Sequence, residues 1–165
     1  MRRLWAASAA IVVCLPFGGV TAAAQSPEPT ASVHVIGTES IHVPVEIESQ
    51  TEVGDVIQMR GVHATATEQI SDPRLSGAAT IDGNVDVYGT EAVQWGTFRI
   101  ENDGGAWEGP YRGVIYGGTQ ESGTVWLAGS GDYAGLTCYW TFGGDNSDLV
   151  LEIEGLIFPG EAPAP

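Results

Sequence analysis

The sequence has no lysine, so its basic side chains are six arginines and three histidines, set against 21 acidic residues. The formal net charge of −15 excludes the basic surface that nucleic-acid binding requires. Charged residues make up 16% of the chain, below the quarter or so that is common in soluble proteins. At 43% hydrophobic, the chain is nonetheless too apolar for a disordered acidic tail and can bury a core.

Long apolar runs are also missing, apart from one near the N-terminus. Arg2 and Arg3 precede an apolar stretch that is shorter than the ~20 residues of a membrane-spanning helix, and Ala22 and Ala24 provide the small residues of a cleavage site. Residues 1–24 are therefore predicted to be a signal peptide cleaved near Ala24. We expect a secreted protein of the extracellular space or cell envelope, and no integral membrane protein. A lipid anchor on Cys14 is the alternative, although Val13 precedes this thiol where a small residue is usual.

Cysteine is equally scarce, with Cys14 and Cys138 as the two in the chain. Removal of the signal peptide would leave Cys138 alone, so no disulfide within the chain is expected. Cys138 shares the apolar face of a predicted strand with Leu136, Trp140 and Phe142. A reactive thiol needs an open, electropositive setting, and we therefore interpret Cys138 as a small buried hydrophobe.

Helical periodicity is absent from the rest of the chain, where apolar residues alternate and turn residues recur about every ten positions. This pattern predicts an all-β fold, an antiparallel meander forming a small closed or nearly closed barrel of about eight strands, with a β-sandwich as the alternative. We predict a linker at 25–31, the β domain at 32–158 and a disordered Pro-rich tail at 159–165. A strand containing Pro44 is expected to be half-buried and at a sheet edge. A longer strand is expected to bend near Gly61.

Several turns and pairs are suggested by short motifs. Asp82, Gly83 and Asn84 predict a hairpin turn, and their spacing with Asp86 is similar to the start of a calcium loop that lacks its later ligands. Trp107, Gly109, Tyr111 and Gly113 share one face of a predicted strand. Glu108 and Arg112 share the other face and are interpreted as a surface pair.

A second glycine-rich segment runs from Gly129 to Leu136. Its Gly-x-Gly-x-aromatic-x-Gly-Leu pattern resembles a hairpin of small barrels of the allene oxide cyclase and dirigent type. The segment from Gly104 to Gly109 is similar to a Gly/Trp strand of uncharacterised bacterial secreted proteins. The resemblance implies an antiparallel barrel with a central cavity, and it transfers no catalytic residue to this sequence.

Residues for catalysis or metal binding are not selected by any motif. His34, His42 and His63 lack zinc-site spacing, and no nucleophile elbow occurs. His63 shares the parity of Met59 and would point inward unless a bulge at Gly61 reverses it. We predict no catalytic residue, no metal site and no cofactor, and an enzyme is the less favoured interpretation.

Binding of a small apolar or amphipathic ligand inside a barrel is the function we predict, because aromatic rings are concentrated in the predicted meander. The candidate ligand-binding residues are Trp95, Trp107, Tyr111, Trp126 and Trp140. Their rings form one wall if the strand parities agree. A barrel-type cyclase or isomerase and a structural protein of the cell envelope are the alternatives.

The predicted cleavage site leads to a direct test. The exported protein should begin at Gln25, because Ala22 and Ala24 occupy the −3 and −1 positions. Mass spectrometry of the N-terminal peptide measures this. A lipid-modified N-terminus at Cys14 would contradict free secretion.

Overall fold

The computed structural model describes residues 31–161. The predicted signal peptide, the linker up to residue 30 and the last four residues of the predicted tail lie outside this range. The described part contains eight strands: β1 (Val33–Val53), β2 (Val56–Ile70), β3 (Gly77–Tyr88), β4 (Glu91–Asn102), β5 (Gly105–Tyr116), β6 (Gln120–Gly129), β7 (Leu136–Asp145) and β8 (Val150–Pro159). Each strand pairs antiparallel with the next, and β8 pairs with β1. The predicted meander is confirmed, and its closure into a barrel excludes the sandwich.

Short 3₁₀ turns interrupt the connections between the strands. They lie at Pro73–Leu75, Gly131–Tyr133 and Asn146–Asp148. Among the helical segments of residues 31–161, none has the length and apolar character needed to cross a membrane.

The hairpin of β1 and β2 extends past the ring of strands. β1 pairs with β8 over residues 33–40, whereas its pairing with β2 continues to Val53. Pro44 lies in the extension, at a register shift between His42 and Glu46. Here β1 pairs with β2 but not with β8, which confirms the prediction that Pro44 lies at a sheet edge. The predicted half-burial of this strand is wrong beyond Ile41, because β8 does not reach that far. Val43 is accordingly 68% exposed.

A bulge at Gly61 reverses the alternation of side chains along β2. The register with β3 shifts between Arg60 and Val62, and Gly61 has a φ of +62°, a left-handed conformation that favours glycine. Met59 therefore faces the barrel interior on one side of the bulge and Val62 faces it on the other. His63 consequently points outward and contacts Asp82, with 2.6 Å between its Nδ1 and the carboxylate.

The predicted turn at Asp82, Gly83 and Asn84 is wrong. These residues lie in the middle of β3 and pair with both β2 and β4, so pairing on two sides overrides the local turn signal. Gly83 is needed there because a Cβ at this position would collide with the hydroxyl of Tyr111. The turn comes later, at Gly89 and Thr90.

One end of the barrel, called here the plugged end, is closed by packed side chains. The ring of Trp107 stacks on Tyr133 at a centroid distance of 5.3 Å. The indole Nε1 of Trp107 donates a hydrogen bond to the carbonyl oxygen of Arg74 at 2.8 Å, and the hydroxyl of Tyr133 donates to Asn102. Leu75, from the adjacent 3₁₀ turn, is fully buried in the same core.

Two sequence interpretations concern side chains near this core. Cys138 is fully buried among Leu136, Trp140 and Phe142, which confirms its inward parity, and burial raises the pKa of its thiol. The pairing of Glu108 with Arg112 is wrong. Glu108 instead contacts Arg99, its direct partner on β4, at 2.6 Å between guanidinium and carboxylate. Cross-strand partners lie closer than residues four apart on one strand.

The contrast between two tryptophans on neighbouring strands leads to a stability prediction. Trp107→Ala should lower the free energy of unfolding by about 3–5 kcal/mol, because it removes a fully buried ring from the plugged end. Trp95→Ala is the matched control. Trp95 lies on the outside of β4 under the guanidinium of Arg60, and its loss should cost about 1 kcal/mol. Urea unfolding of both variants measures the difference. Equal losses of unfolding free energy would contradict the placement of Trp107 in the core and Trp95 on the outer surface.

Candidate functional site

An interior cavity of about 230 Å³ occupies the half of the barrel farther from the plugged end. Ten of its lining residues are apolar: Ile41, Val45, Ile47, Met59, Val62, Ala64, Ile81, Val85, Phe98 and Phe142. Tyr111, Gln94, Glu39 and Glu121 complete the lining. The cavity is thus mainly apolar, with a few polar groups, as is typical of small-molecule sites.

The space in the barrel depends on glycines that face large rings. A Cβ at Gly83 or Gly96 would collide with Tyr111, and a Cβ at Gly123 would collide with Phe142. These rings therefore lie across the backbone of neighbouring strands and not farther toward the barrel axis. The volume that remains, beside the small side chain of Ala64, is the cavity.

The extended hairpin of β1 and β2 forms one side of the cavity's mouth. Val45 and Ile47 line the cavity and are still 40% and 44% exposed. Their apolar side chains therefore contact both the interior and the solvent. An apolar molecule entering at this end would meet apolar surface from the first contact onward.

Three glutamates are buried in the barrel interior: Glu39 on β1, Glu68 on β2 and Glu121 on β6. Their exposed fractions are 4%, 1% and 8%. Glu39 and Glu68 are direct cross-strand partners. Glu39 is paired on its other side with Leu151 of β8.

Two of these groups, Glu39 and Glu68, lack within residues 31–161 the contacts that normally stabilise buried charge. Neither carboxyl oxygen of Glu68 has a hydrogen-bond partner within residues 31–161. Burial, followed by the charge of Glu39, raises the pKa of Glu68 to about 9. Burial, followed by the charge of Glu121, raises the pKa of Glu39 to about 8. Both groups are therefore largely protonated at neutral pH in the free protein.

Glu121 and Tyr111 have more polar surroundings. The side-chain amide of Gln94 donates a hydrogen bond to the Glu121 carboxylate. This bond opposes the burial that raises the pKa of Glu121. Burial, then the charges of Glu121 and Glu39, raise the pKa of Tyr111 to about 12, so its phenol stays neutral. The cavity therefore offers ionisable acids and a phenol within an apolar lining.

The predicted ligand-binding aromatics do not share one wall. Trp107, Tyr111 and Trp140 are buried in the interior, whereas Trp95 and Trp126 face outward. Trp126 packs on Tyr139 at a centroid distance of 4.5 Å. Of the five residues, Tyr111 lines the cavity. Trp140 packs edge-on against Phe98, a cavity residue, at 5.5 Å.

The buried glutamates were missed by the sequence interpretation. A signal was present, because Glu39 has the same parity as the apolar residues Val35 and Ile41. Glu68 likewise has the parity of Ala66 and Ile70. An acid at an inward position of a strand is unusual, and it is the pattern that could have identified these residues.

The motifs considered for metal binding lie on the outer surface. Asp86 faces outward on β3 and contacts Arg60 at 2.7 Å, and Asp82 is exposed beside His63. Within residues 31–161, no three His, Cys, Asp or Glu side chains form a group that could hold a metal ion.

A larger concavity of about 1410 Å³ lies across β5–β8, β1 and β2. Its outward-facing lining includes the exposed residues Gln69, Arg112 and Glu154. Such a surface leaves a small ligand largely in water, so we regard the interior cavity as the candidate site.

Comparison of the sequence with models of protein families finds no match, and comparison with curated proteins finds none either. The resemblance to allene oxide cyclase and dirigent barrels therefore stays a prediction. The function has to be argued from the cavity itself.

The buried acids predict an unusual dependence of stability on pH. Glu68 has an ordinary pKa of 4.5 and a folded value of about 9, so between these values the unfolded chain ionises while the folded protein does not. The free energy of unfolding should therefore fall as pH rises through this window, by up to about 1.4 kcal/mol per pH unit for this group.

Urea unfolding between pH 5 and pH 8 measures this slope. Glu68→Gln should make the decline shallower, because it removes one titrating group. Glu152→Gln, at an exposed position of β8, is the control and should keep the wild-type slope. An unchanged slope in Glu68→Gln would show that the carboxyl is not held protonated by the fold.

Proposed function

We propose that this protein binds a small, largely apolar molecule inside the barrel. The observation that carries the proposal is the interior cavity of about 230 Å³, whose lining is mostly aliphatic and aromatic. Moving apolar surface from water into such a lining is favourable by about 25 cal/mol per Å². The mouth at Val45 and Ile47 supports the same interpretation, because it supplies an apolar entry path.

The cavity volume limits the size of the ligand. An apolar cavity of about 150 Å³ in a protein core is large enough to bind benzene. A cavity of about 230 Å³ therefore suits a single substituted ring or a short alkyl chain. Molecules of this size bind through shape and burial with few hydrogen bonds.

We favour binding of the ligand without a chemical reaction over catalysis. Cys138 is buried and outside the cavity lining. His34, His42 and His63 contact Glu154, two threonines and Asp82 on the outer surface. Neither a thiol nor a histidine therefore faces the cavity among the described residues.

An isomerase or cyclase is the second candidate, and the raised pKa of Glu39 favours it. A carboxyl group that is protonated near neutral pH can act as a general acid. NMR spectroscopy of the released ligand distinguishes the two candidates, since a binding protein releases an added ligand unchanged whereas an isomerase releases a rearranged isomer of the same mass.

Export of the protein belongs to the proposal as well. It is supported by the features of residues 1–24 described above. A strongly acidic secreted protein repels anionic polymers and anionic lipid surfaces, which suits the capture of a neutral or cationic small molecule. A purely structural role in the cell envelope is the remaining alternative, and it needs no cavity.

Filling the cavity tests the proposal. Toluene should bind the wild-type protein saturably, as measured by calorimetry and by a shift in tryptophan emission. Ala64→Phe should abolish binding, because Ala64 is buried and lines the cavity, so the added ring occupies the space. Circular dichroism checks that the variant keeps its strands.

The matched control is Thr65→Phe. Thr65 is the next residue on β2 and is exposed on the outside, so this change adds the same ring without filling the cavity. Toluene binding should persist in this variant. Absence of binding to the wild-type protein, or equal binding to both variants, would overturn the proposal.

A further inference from the structure

We propose that the molecule bound in the cavity carries a protonated amine, whose ammonium group pairs with the carboxylates of Glu39 and Glu121. This inference rests on the proposed function and specifies the chemical class of its ligand: an apolar body with one cationic head. It follows from the balance of charge inside the barrel and from the arrangement of the cavity lining.

Within residues 31–161, the barrel interior contains acidic side chains but no basic one. Glu39 and Glu121 line the cavity, and Glu68 is the cross-strand partner of Glu39. The four arginines within residues 31–161 either form ion pairs with acidic side chains or are exposed on the outer surface. They are Arg60 with Asp86, Arg74 with Asp72, Arg99 with Glu101 and Glu108, and Arg112, which is exposed. No side chain within residues 31–161 thus brings a positive charge to the cavity.

The polar groups of the cavity do not satisfy these acids. Burial and the charge of Glu121 shift the pKa of Glu39, with no hydrogen bond opposing them. Both oxygens of Glu68 are buried and unpartnered within residues 31–161. Only Glu121 receives a side-chain hydrogen bond within the cavity lining, from Gln94. Glu39 is thus a nearly fully buried acid that faces the cavity, and no side-chain hydrogen bond within residues 31–161 opposes the rise of its pKa.

Buried acids without partners lower the stability of the fold. Taking a carboxylate out of water is expensive unless a counter-charge or hydrogen bonds replace the water. The inward neighbours of Glu39 on β1 include Val35 and Ile41, and an apolar side chain at position 39 would suit the same surroundings. An arrangement that costs stability and produces perturbed acids in a cavity is typical of a binding or catalytic site.

The arrangement of the lining favours a cation over other polar heads. Whenever the acids ionise, they would repel an anionic head, and a neutral head would leave their charge uncompensated. An ammonium group forms charge-assisted hydrogen bonds with carboxylates, while the ten apolar side chains cover the remainder of the ligand. The net charge of −15 over the whole chain also attracts cations from solution.

Binding of an amine must then release a proton. In the free protein the carboxyl of Glu39 holds its proton at neutral pH. Pairing with R–NH₃⁺ converts it to a carboxylate, and the proton passes to solvent. Glu39 is faced by Glu68 from β2, Glu121 from β6 and Tyr111 from β5, and its neighbour on β8 is the apolar Leu151. The amine affinity should therefore increase by up to tenfold per pH unit below about pH 8, where Glu39 is protonated in the free protein.

Three probes with the same alkyl chain test the inference: hexylamine, 1-hexanol and hexanoate. Calorimetry of the wild-type protein at pH 7.5 should show hexylamine binding about tenfold more tightly than 1-hexanol and hexanoate binding more weakly than both. Titrations in buffers of different ionisation enthalpy should show proton release with hexylamine and none with 1-hexanol. Equal binding of the amine and the alcohol would overturn the inference.

Single substitutions of glutamates test which carboxyl groups produce the preference for the amine. Glu39→Gln should remove most of the preference for hexylamine and its pH dependence, while 1-hexanol binds as in the wild type. Glu152→Gln, on the outer surface, should retain the preference. A preference that survives in both Glu39→Gln and Glu121→Gln would place the amine elsewhere and overturn the assignment.

The outcomes separate this inference from the proposed function. If toluene and 1-hexanol bind and hexylamine shows no advantage, the barrel binds apolar molecules and the amine assignment is wrong. If none of the probes binds the wild-type protein, the proposed function itself fails. The pH dependence in the wild-type protein needs no variant, so it remains informative even where a substitution disturbs folding.

Discussion

The pairing of β8 with β1 is the constraint on which the rest of the structure depends. Its register sets Val35 opposite Gly155, Gly37 opposite Ile153 and Glu39 opposite Leu151. Closure leaves no free edge along the ring and divides every strand into an inner and an outer face. A slip of one residue would carry Glu39 to the outside and bring a neighbouring outward residue inward. The chemistry of the cavity therefore follows from the register, which a continuous set of backbone hydrogen bonds holds.

Within the closed barrel, the positions of aromatic side chains and glycines decide where empty space remains. Near the plugged end, Trp107 stacks on Tyr133 and both rings are buried. In the other half, Tyr111 occupies the room left by Gly83 and Gly96, and the remaining inward residues are mostly aliphatic. Protein cores are normally packed as densely as organic crystals. A cavity of about 230 Å³ is a clear departure from that density, and it lies in the half of the barrel where we propose that a ligand binds.

Period-two alternation predicts the strands and the inward place of Cys138 because it reflects burial directly. The residues around Asp82 were misassigned as a turn, since local turn propensity says nothing about pairing with two neighbouring strands. Alternation alone could have placed Trp95 and Trp126 outside, opposite in parity to their buried neighbours Phe98 and Leu127. The surroundings of Glu68 are harder to predict than its parity, because the bulge at Gly61 decides which earlier side chains of β2 face inward with it. Its depth also depends on closure with distant strands.

The buried acids link binding to stability. In the free protein, raising the pH toward 8 or 9 makes protonation of Glu39 and Glu68 increasingly costly, so the fold weakens. The cationic ligand that we propose would change this balance, because it would pair with the ionised form. Ligand binding stabilises the folded state in proportion to the logarithm of ligand concentration over Kd, and Kd for a cation falls over the same range of pH. The carboxyl groups that weaken the empty barrel would then be those that strengthen the occupied one. A stability cost in the free protein is therefore consistent with a site that works through charge.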